Sequence, residues 1–250
     1  MADRILEIGR RGLETTDEKV KAMMNNIVNA QTPGFRKTDL QITSFPAALE
    51  KAKNKVEGEP SAMLPKVAGV YQDKTHGALL RTGSATDLAV AGDGYFVLQG
   101  SAGELFTRDG RFTLDENGVL TSVAGKNPVM GQGGPIAVIP GSRVDITQDG
   151  DVKSDGVAID RIRIVKFEDQ SKLESINNVM FKLPENGGAH YTVDENPRVL
   201  QGYTEASNVN IMDEMMQMIY LQRIYGMDAK IVQTRDASLS RSLEMGRPSQ

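Results

Sequence analysis

Three aspartates lie at positions where carboxylates could do acid–base chemistry, namely Asp93, Asp109 and Asp115. Glycoside hydrolysis needs two carboxyl groups flanking the sugar bond, so a secreted glycan-active enzyme is one hypothesis for this chain. Each aspartate, however, precedes a glycine or begins the turn motif DENG, where an aspartate commonly accepts hydrogen bonds from backbone amides. The pattern therefore favours turn-capping aspartates, and no catalytic residue is predicted.

Other possible binding motifs fail on their spacing. The segment TQDGDVKSDG at residues 147–156 resembles a calcium loop, but counting from Asp149 puts Lys153 and Ser154 where an oxygen ligand and a glycine are required. The segments AGDGYF and GQGGP could cradle a phosphate only if they opened a helix, and neither is predicted to do so. With no cysteine and two distant histidines, the chain lacks the usual ligands of zinc. No metal and no cofactor is predicted.

Positive and negative charges are interspersed along the chain. Its 250 residues include 29 lysines and arginines and 33 aspartates and glutamates, for a net charge of -4. No basic surface for nucleic acid is therefore expected. The N-terminal sequence has no uninterrupted apolar run and no small-residue cleavage site, and no window approaches the roughly 18 apolar residues of a membrane span. We expect neither a cleaved signal peptide nor membrane insertion.

A helix is predicted at the N-terminus. Four apolar residues recur every seven positions, which is the heptad spacing of a helix that packs lengthwise against another helix. They are Leu6, Leu13, Val20 and Ile27, with a weaker row at Gly9, Thr16, Met23 and Ala30. The helix should end before Pro33, because the residue before a proline is disfavoured in helical geometry.

A second helix is predicted to begin after Asn210, which can cap it, and to end before Gly246 and Pro248. Its main row follows the 4-3 spacing of a helix seam: Ile211, Met215, Met218, Gln222, Tyr225, Ala229, Val232, Asp236, Leu239 and Leu243. A second apolar row lies beside it: Met212, Met216, Tyr220, Ile224, Met227 and Ile231. One partner requires only one apolar stripe, so the second row is predicted to be an assembly surface.

Between the helices the sequence changes to short β-like runs separated by turn residues. Asp109-Gly110 lies between two alternating runs and is the strongest local signal of a β-hairpin. The segment before these runs has room for a short helix after Pro46 that ends at Gly58.

The predicted fold class is α+β, in which long N- and C-terminal helices form an antiparallel coiled-coil-like hairpin with an inserted antiparallel β domain. Residues 1–40 and 200–250 form the helical domain, residues 41–84 an extended connector, and residues 85–199 the β-rich domain. Two long amphipathic helices cannot both bury their faces on a small β domain, so self-association through them is expected.

Three stretches of the sequence resemble the signatures of one family. They are NNIVNAQTPGFRK at residues 25–37, then TDLAVAGDGYFVLQ, FTRDGRF and MGQGGPI between residues 86 and 136, and GYTEASNVNIMDEMMQMIYLQRIYGMDAKI at residues 202–231. In this order they resemble the bacterial flagellar basal-body rod proteins, an axial family that includes the hook protein. The resemblance implies that the terminal helices form an inner tube and the β domain its outer wall.

The resemblance also implies which residues pack between subunits. Around the end of the first helix they form a shaped elbow: Asn26, Asn29, Thr32, Gly34 and Phe35. Before and along the second helix they are Ser207, Asn208, Asn210, Met216, Met218, Tyr220, Gln222, Arg223, Ile224 and Met227.

The function that this resemblance implies is structural and not enzymatic. The subunit would polymerise through its terminal helices into the rod, the drive shaft that carries motor torque to the hook. The length of the chain and the absence of a Gly-Leu-rich stretch in the connector favour the proximal rod. The alternatives are the distal rod protein, a secreted β-domain adaptor with a methionine-rich binding face, and the glycan-active enzyme.

The implied partners are other copies of the chain, other flagellar rod and hook proteins, and the flagellar export apparatus, with no nucleic acid. The implied location is the basal body in the periplasmic space, reached by export without a cleaved signal peptide.

Overall fold

The computed structural model describes residues 2–43, 66–184 and 190–245. The chain divides into two compact units. Unit 1 contains the described parts of Met1–Val28, Thr38–Tyr71 and Asn210–Gln250, and unit 2 those of Asn29–Lys37 and Gln72–Val209. The chain therefore leaves unit 1 after the first helix, returns for one stretch, and returns again for the last helix.

Unit 1 consists of two helices and a pair of strands. These are α1 (Ala2–Val28), β1 (Thr38–Thr43), β2 (Lys66–Gln72) and α2 (Ile211–Met245), with β1 paired to β2. Both predicted helices are confirmed at their inner ends, since α1 ends before Pro33 and α2 begins after Asn210. The short helix predicted between Pro46 and Gly58 lies outside the described residues.

The two helices contact each other, and their buried faces overlap the predicted rows only in part, at Thr16 and Met23 of the weaker row of α1. On α1 the buried side chains are Thr15, Thr16, Met23 and Asn26, whereas Leu13, Val20 and Ile27 of the predicted seam are only half-buried. On α2 the buried side chains are Glu214 and Leu221, whereas Met215 and Tyr225 of the predicted seam are exposed. Much of the buried surface on these helices is therefore polar.

The predicted fold class, α+β built on a long coiled-coil-like hairpin, is wrong. The described residues form seventeen strands but only two α-helices, and these helices do not form a long coiled-coil hairpin. A coiled coil buries a regular apolar seam, whereas α1 here buries Met23 beside Thr15, Thr16 and Asn26, and α2 buries Leu221 beside Glu214. The heptad spacing located both helices but only part of the side that α1 buries.

Unit 2 is built from antiparallel strands. They are β3 (Leu79–Arg81), β4 (Leu88–Val90), β5 (Tyr95–Gly100), β6 (Gly103–Thr107), β7 (Phe112–Leu114), β8 (Leu120–Ser122), β9 (Val144–Ile146), β10 (Asp151–Ser154), β11 (Val157–Arg161), β12 (Ile164–Phe167), β13 (Glu174–Ser175), β14 (Met180–Lys182), β15 (Tyr191–Val193), β16 (Val199–Gln201) and β17 (Tyr203–Glu205). A six-stranded sheet has the order β13-β14-β6-β5-β12-β15, and a three-stranded sheet the order β11-β10-β9. Three two-stranded pairs, β16-β4, β17-β3 and β7-β8, complete the unit.

The six-stranded sheet is buried on both faces, as β5 shows. Phe96 and Leu98 contribute to one apolar cluster, and Tyr95 and Val97 point the other way into a second. The second cluster is rich in aromatic rings that meet edge to face, such as Phe106 and Phe167 with centroids 4.9 Å apart. Burial on both faces explains why YFVL is a continuous apolar run and does not alternate.

The predicted hairpin at Asp109-Gly110 is wrong. This dipeptide joins β6 to β7, which belong to different sheets. Gly110 lies against the backbone of β4, since a Cβ there would be 1.6 Å from the Leu88 carbonyl oxygen. A two-residue hairpin turn occurs instead at Asp155-Gly156, where φ is 50° and 84°, as a type I′ turn between β10 and β11 requires.

Candidate subunit-packing surfaces

Residues 29–37, called the elbow here, form a chain of tight turns after α1. The Thr32 amide donates to the Asn29 carbonyl at 3.0 Å, and the Phe35 amide donates to the Thr32 carbonyl at 3.2 Å. The Asn29 side-chain oxygen accepts a hydrogen bond from Asn178 Nδ2 at 3.0 Å. Phe35 lies within the apolar core, 1% exposed. Of the elbow residues named from the sequence, Asn29, Thr32, Gly34 and Phe35 lie in unit 2 of their own chain, and Asn26 lies in unit 1.

Gly34 lies where the elbow passes closest to the rest of unit 2. Its φ is 72°, and its amide donates to the Glu205 carbonyl at 2.8 Å. A Cβ at this position would be 2.3 Å from the Asp109 amide nitrogen and 2.5 Å from the Arg108 carbonyl carbon. Only glycine meets both requirements, a left-handed backbone and close contact with another chain segment.

Two buried arginines, one of them two residues after Gly34, form ion pairs with one buried glutamate. Arg36 Nη2 lies 2.9 Å from Glu205 Oε1, and Arg108 Nε lies 2.9 Å from Glu205 Oε2, although the Arg108 Nε–H is not aligned as a hydrogen bond. All three side chains are at most 5% exposed. Arg36 and Arg108 also donate to the carbonyls of Thr75 and Gly94. We call Arg36, Arg108 and Glu205 the buried charge cluster.

The cluster extends to the surface through a histidine. His76 Nδ1 lies 2.7 Å from Arg108 Nη2 and 3.1 Å from Arg36 Nη2, while His76 Nε2 lies 2.9 Å from Asp93 Oδ1. Guanidinium groups only donate, so Nδ1 is the acceptor and the proton on Nε2 faces Asp93. The half-exposed ring thus lies between the two buried guanidinium groups and the surface carboxylate of Asp93.

Burial dominates the electrostatics of this region. It lowers the pKa of Arg108 below the usual value of an arginine, while the charge of Glu205 opposes that shift. Burial likewise raises the pKa of Tyr95, whose ring lies 5.7 Å from the Arg108 guanidinium carbon. Arginine remains charged at any physiological pH, so the cluster holds two cations that depend on Glu205 as their buried counter-ion.

The cluster joins three motifs that lie far apart in the sequence. Arg36 comes from NNIVNAQTPGFRK, Arg108 from FTRDGRF and Glu205 from GYTEASN. Sequence reasoning treated these charged residues as parts of motifs and did not predict that they meet. Each motif contributes one member of the cluster, and the spacing within the motifs does not show which charged residues meet.

Asn208 joins the elbow to the segment before β3. Its side-chain oxygen accepts the Lys37 amide at 2.7 Å, and its Nδ2 donates to the carbonyls of Asp73 and Thr75 at 3.2 and 3.1 Å. Ser207 Oγ accepts the Val209 amide at 3.2 Å. Both residues named from the sequence thus order the backbone that leads to α2.

In unit 1, Asn26 connects α1, β1 and α2. Its Nδ2 donates to the Thr38 carbonyl at 2.8 Å and to Glu214 Oε2 at 3.2 Å, and its Oδ1 accepts the Thr38 amide at 2.9 Å. Asn26 and Glu214 are each 1% exposed. Asn210 caps α2 as predicted, since its Oδ1 accepts the Met212 amide at 3.1 Å.

The apolar residues of α2 lie largely on the side opposite to this contact. At roughly 100° per residue, the exposed apolar residues project away from Glu214 and Leu221. We call them the outward face of α2: Met212, Met215, Met216, Ile219, Tyr220 and Met227, between 49% and 67% exposed. Gln222 and Arg223 are exposed as well. Met218 and Ile224 are half-buried, so Ile224 lies nearer the α1 contact than its place in the predicted second row suggests.

The aspartates considered for catalysis are bound to groups of their own chain. Both oxygens of buried Asp109 contact Arg111, at 3.0 and 2.8 Å. Asp115 accepts the amides of Asn117 and Val119 in the DENG turn. Within the described residues there is no cluster of three or more acidic or histidine side chains that could hold a metal ion. None of the described helices is long and apolar enough to cross a membrane.

Comparisons with known proteins identify the family. Residues 200–245 match the model "Flagellar basal body rod FlgEFG protein C-terminal", and residues 89–154 match "Flagellar hook protein FlgE/F/G D1 domain". The chain is 32% identical to the flagellar basal-body rod protein FlgF of Caulobacter vibrioides, over 96% of each chain. It is 30% identical to the FlgF of Rhizobium meliloti over 91% of each chain.

A FlgG protein is also among the relatives. The flagellar basal-body rod protein FlgG of Bacillus subtilis is 30% identical over 98% of this chain and 99% of its own length. That alignment spans 263 positions, more than the 250 residues of this chain, so this FlgG has segments with no counterpart here. The alignment with the Caulobacter FlgF spans 241 positions.

The predicted rod protein is therefore confirmed, and the proximal rod that was favoured fits these relatives. The chain belongs to the flagellar basal-body rod protein family, as a structural subunit of the basal-body rod.

Proposed function

We propose that the chain assembles into the rod through the outward face of α2. The observation that carries this proposal is the reversed polarity of the helix, in which Glu214 is buried while methionines, Ile219 and Tyr220 are exposed. A contiguous exposed apolar patch is characteristic of an interaction surface. Burying each of its apolar side chains between subunits would contribute roughly 1.5–3 kcal/mol before ordering costs.

The other residues named for packing support this surface. Asn26, Asn29, Thr32, Gly34 and Phe35 fix the end of α1 and the elbow, and Ser207, Asn208 and Asn210 fix the start of α2. Met218, Gln222, Arg223 and Ile224 border the outward face. Residues 1–40 and 200–250 would then be the assembling part, joined through residues 41–84 to an outer β domain at residues 85–199.

The partners are other copies of this chain and other flagellar rod and hook proteins. The near-gapless alignment with a FlgF supports a FlgF-like place in the proximal rod, with a FlgG-like distal place as the alternative. Delivery to the periplasmic space is by the flagellar export apparatus. This role is structural and requires no enzymatic activity, nucleic acid or membrane insertion. The contacts of Asp109 with Arg111 and of Asp115 with backbone amides agree with structural roles for these carboxylates.

Replacing Tyr220 with aspartate tests the outward face. A charge placed on a surface that becomes buried costs several kcal/mol in the polymer, whereas the free subunit keeps that side wet. In cells that lack the native gene, we expect Tyr220→Asp to abolish rods in isolated basal bodies and motility in soft agar. The purified variant should unfold at the same temperature as the native chain.

The matched control is Gln217→Asp, which adds the same charge at an exposed position of α2 outside the outward face. It should assemble and support motility. Normal rods with Tyr220→Asp would show that the outward face is not buried in the assembly, and the proposal would be abandoned.

A further inference from the structure

The helices of unit 1 carry exposed apolar side chains on two separate faces. One is the outward face of α2 described above. The other lies on α1, where Met24 and Val28 are 53% and 78% exposed. At roughly 100° per residue, these two project away from Thr16, Met23 and Asn26, the side that α1 buries. The two apolar faces therefore lie on opposite sides of the contacting helices.

The contact between Asn26 and Glu214 sets the alignment of the two helices. α1 ends two residues after Asn26, and α2 begins three residues before Glu214. The two helices can lie side by side along their length only if they run antiparallel from this point. Each step toward the start of α1 then corresponds to one step toward the end of α2.

The geometry points to a head-to-tail contact in which the Met24–Val28 face of one copy packs on the outward face of α2 in the next copy. If the neighbouring copy is shifted sideways without rotation, its α2 keeps the same register against the α1 of the first copy that the Asn26–Glu214 pair sets within one chain. Val28 then lies beside Met212 of the second copy, and Met24 beside Met216. The inference rests on the proposed role of the outward face and adds the surface that covers it.

The charges on the two faces agree with this alignment. Seven residues before Met24 on α1 is Asp17, and seven residues after Met216 on α2 is Arg223. Both are exposed, and Asp17 contacts only Lys21 of its own helix among the ion pairs of the described residues. The same alignment that pairs the methionines thus brings an anion opposite a cation, which favours this register over its neighbours.

Two different faces on opposite sides of the helix pair also suit an open polymer. A contact between unlike faces repeats from copy to copy without closing, whereas a face that pairs with itself stops at a dimer. If the outward face of α2 paired with itself, Met24 and Val28 would remain exposed to solvent. The head-to-tail contact covers both.

The chain contains no cysteine, so introduced thiols test the contact directly. Rods from cells that express Val28→Cys together with Met212→Cys are treated with a short bifunctional maleimide and analysed by denaturing gel and mass spectrometry. We expect a ladder of covalent multimers of this chain at the expense of the monomer. Outward faces of two packed helices are roughly 20 Å apart, so a link within one chain is out of reach and would leave the monomer mass unchanged.

The out-of-register control combines Val28→Cys with Met227→Cys, which lies on the same face roughly 22 Å further along α2. It should give no ladder, and neither should the single variants. Dimers from Met212→Cys alone would show self-pairing, and a missing ladder or links to a different protein would equally overturn the head-to-tail contact. Undiminished labelling of Met212→Cys by a monofunctional maleimide in rods would instead overturn the role of the outward face itself.

Discussion

Glu205→Ala is expected to destabilise unit 2 by about 3–5 kcal/mol, the usual cost of removing one partner of a buried ion pair. The substitution leaves Arg36 and Arg108 buried without their counter-ion, and it also removes the acceptor of the Gly77 amide at 3.0 Å. Urea unfolding of the purified full chain, followed by near-ultraviolet circular dichroism of tyrosine, measures the loss, because Tyr95 adjoins Arg108.

Glu174→Ala is the matched control for this prediction. Glu174 pairs with Lys182 at 3.1 Å, but both side chains are 41–49% exposed, and a surface ion pair contributes only about 0–1 kcal/mol. Glu205→Gln should fall between the two, since an amide oxygen can still accept from Gly77 but carries no charge. Equal stability of Glu205→Ala and Glu174→Ala would mean that Glu205 is not the counter-ion of the two arginines.

The buried charge cluster marks the limit of what the sequence could predict. Glycine, proline and aromatic residues act locally, so the elbow and the ends of both helices could be predicted from short stretches. An ion pair between Arg36 and Glu205 depends on which distant segments the sheets bring together. The spacing of apolar and polar residues along the sequence does not indicate those pairings. The motifs pointed to the correct segments without showing that they meet.

The helices show a second limit. Heptad spacing predicted where α1 and α2 lie, and the main row of α2 was assigned to the partner helix of the same chain. Met215 and Tyr225 of that row are exposed, whereas the polar residues Asn26 and Glu214 are buried. The residues that face the partner helix could therefore not be assigned from apolar spacing alone.

The glycine of Asp109-Gly110 shows why a local turn signal can mislead. Asp-Gly favours a hairpin because glycine accepts a positive φ, but glycine also permits close contact between backbones. At Gly110 the second reason applies, since its neighbour is the Leu88 carbonyl. At Gly156 the first applies, with φ at 84°. The Asp-Gly dipeptide therefore has a different structural role at each of these positions, and only the surrounding strands show which role applies.

Gly34→Ala combines both of these penalties and is expected to destabilise unit 2 by roughly 2–5 kcal/mol. The left-handed backbone, φ 72°, disfavours any Cβ, and that Cβ would overlap the Asp109 amide nitrogen at 2.3 Å. The neighbours are backbone atoms and not the end of a flexible side chain, so the elbow must move away from the β6–β7 connection. Urea unfolding of the full chain measures the loss.

Gly83→Ala separates the two causes, because Gly83 has a similar φ of 78° but open space where the Cβ would lie. It should cost about 1–2 kcal/mol, the price of a left-handed backbone alone. The difference between the two variants is then the overlap at the elbow. Since Gly34 also donates its amide to the Glu205 carbonyl, displacing the elbow should weaken the contact between Arg36 and Glu205. The loss from Gly34→Ala should therefore be less than additive with that from Glu205→Ala. If Gly34→Ala and Gly83→Ala were equally stable, the elbow would not be held against Asp109, and its role in positioning Arg36 would fail with it.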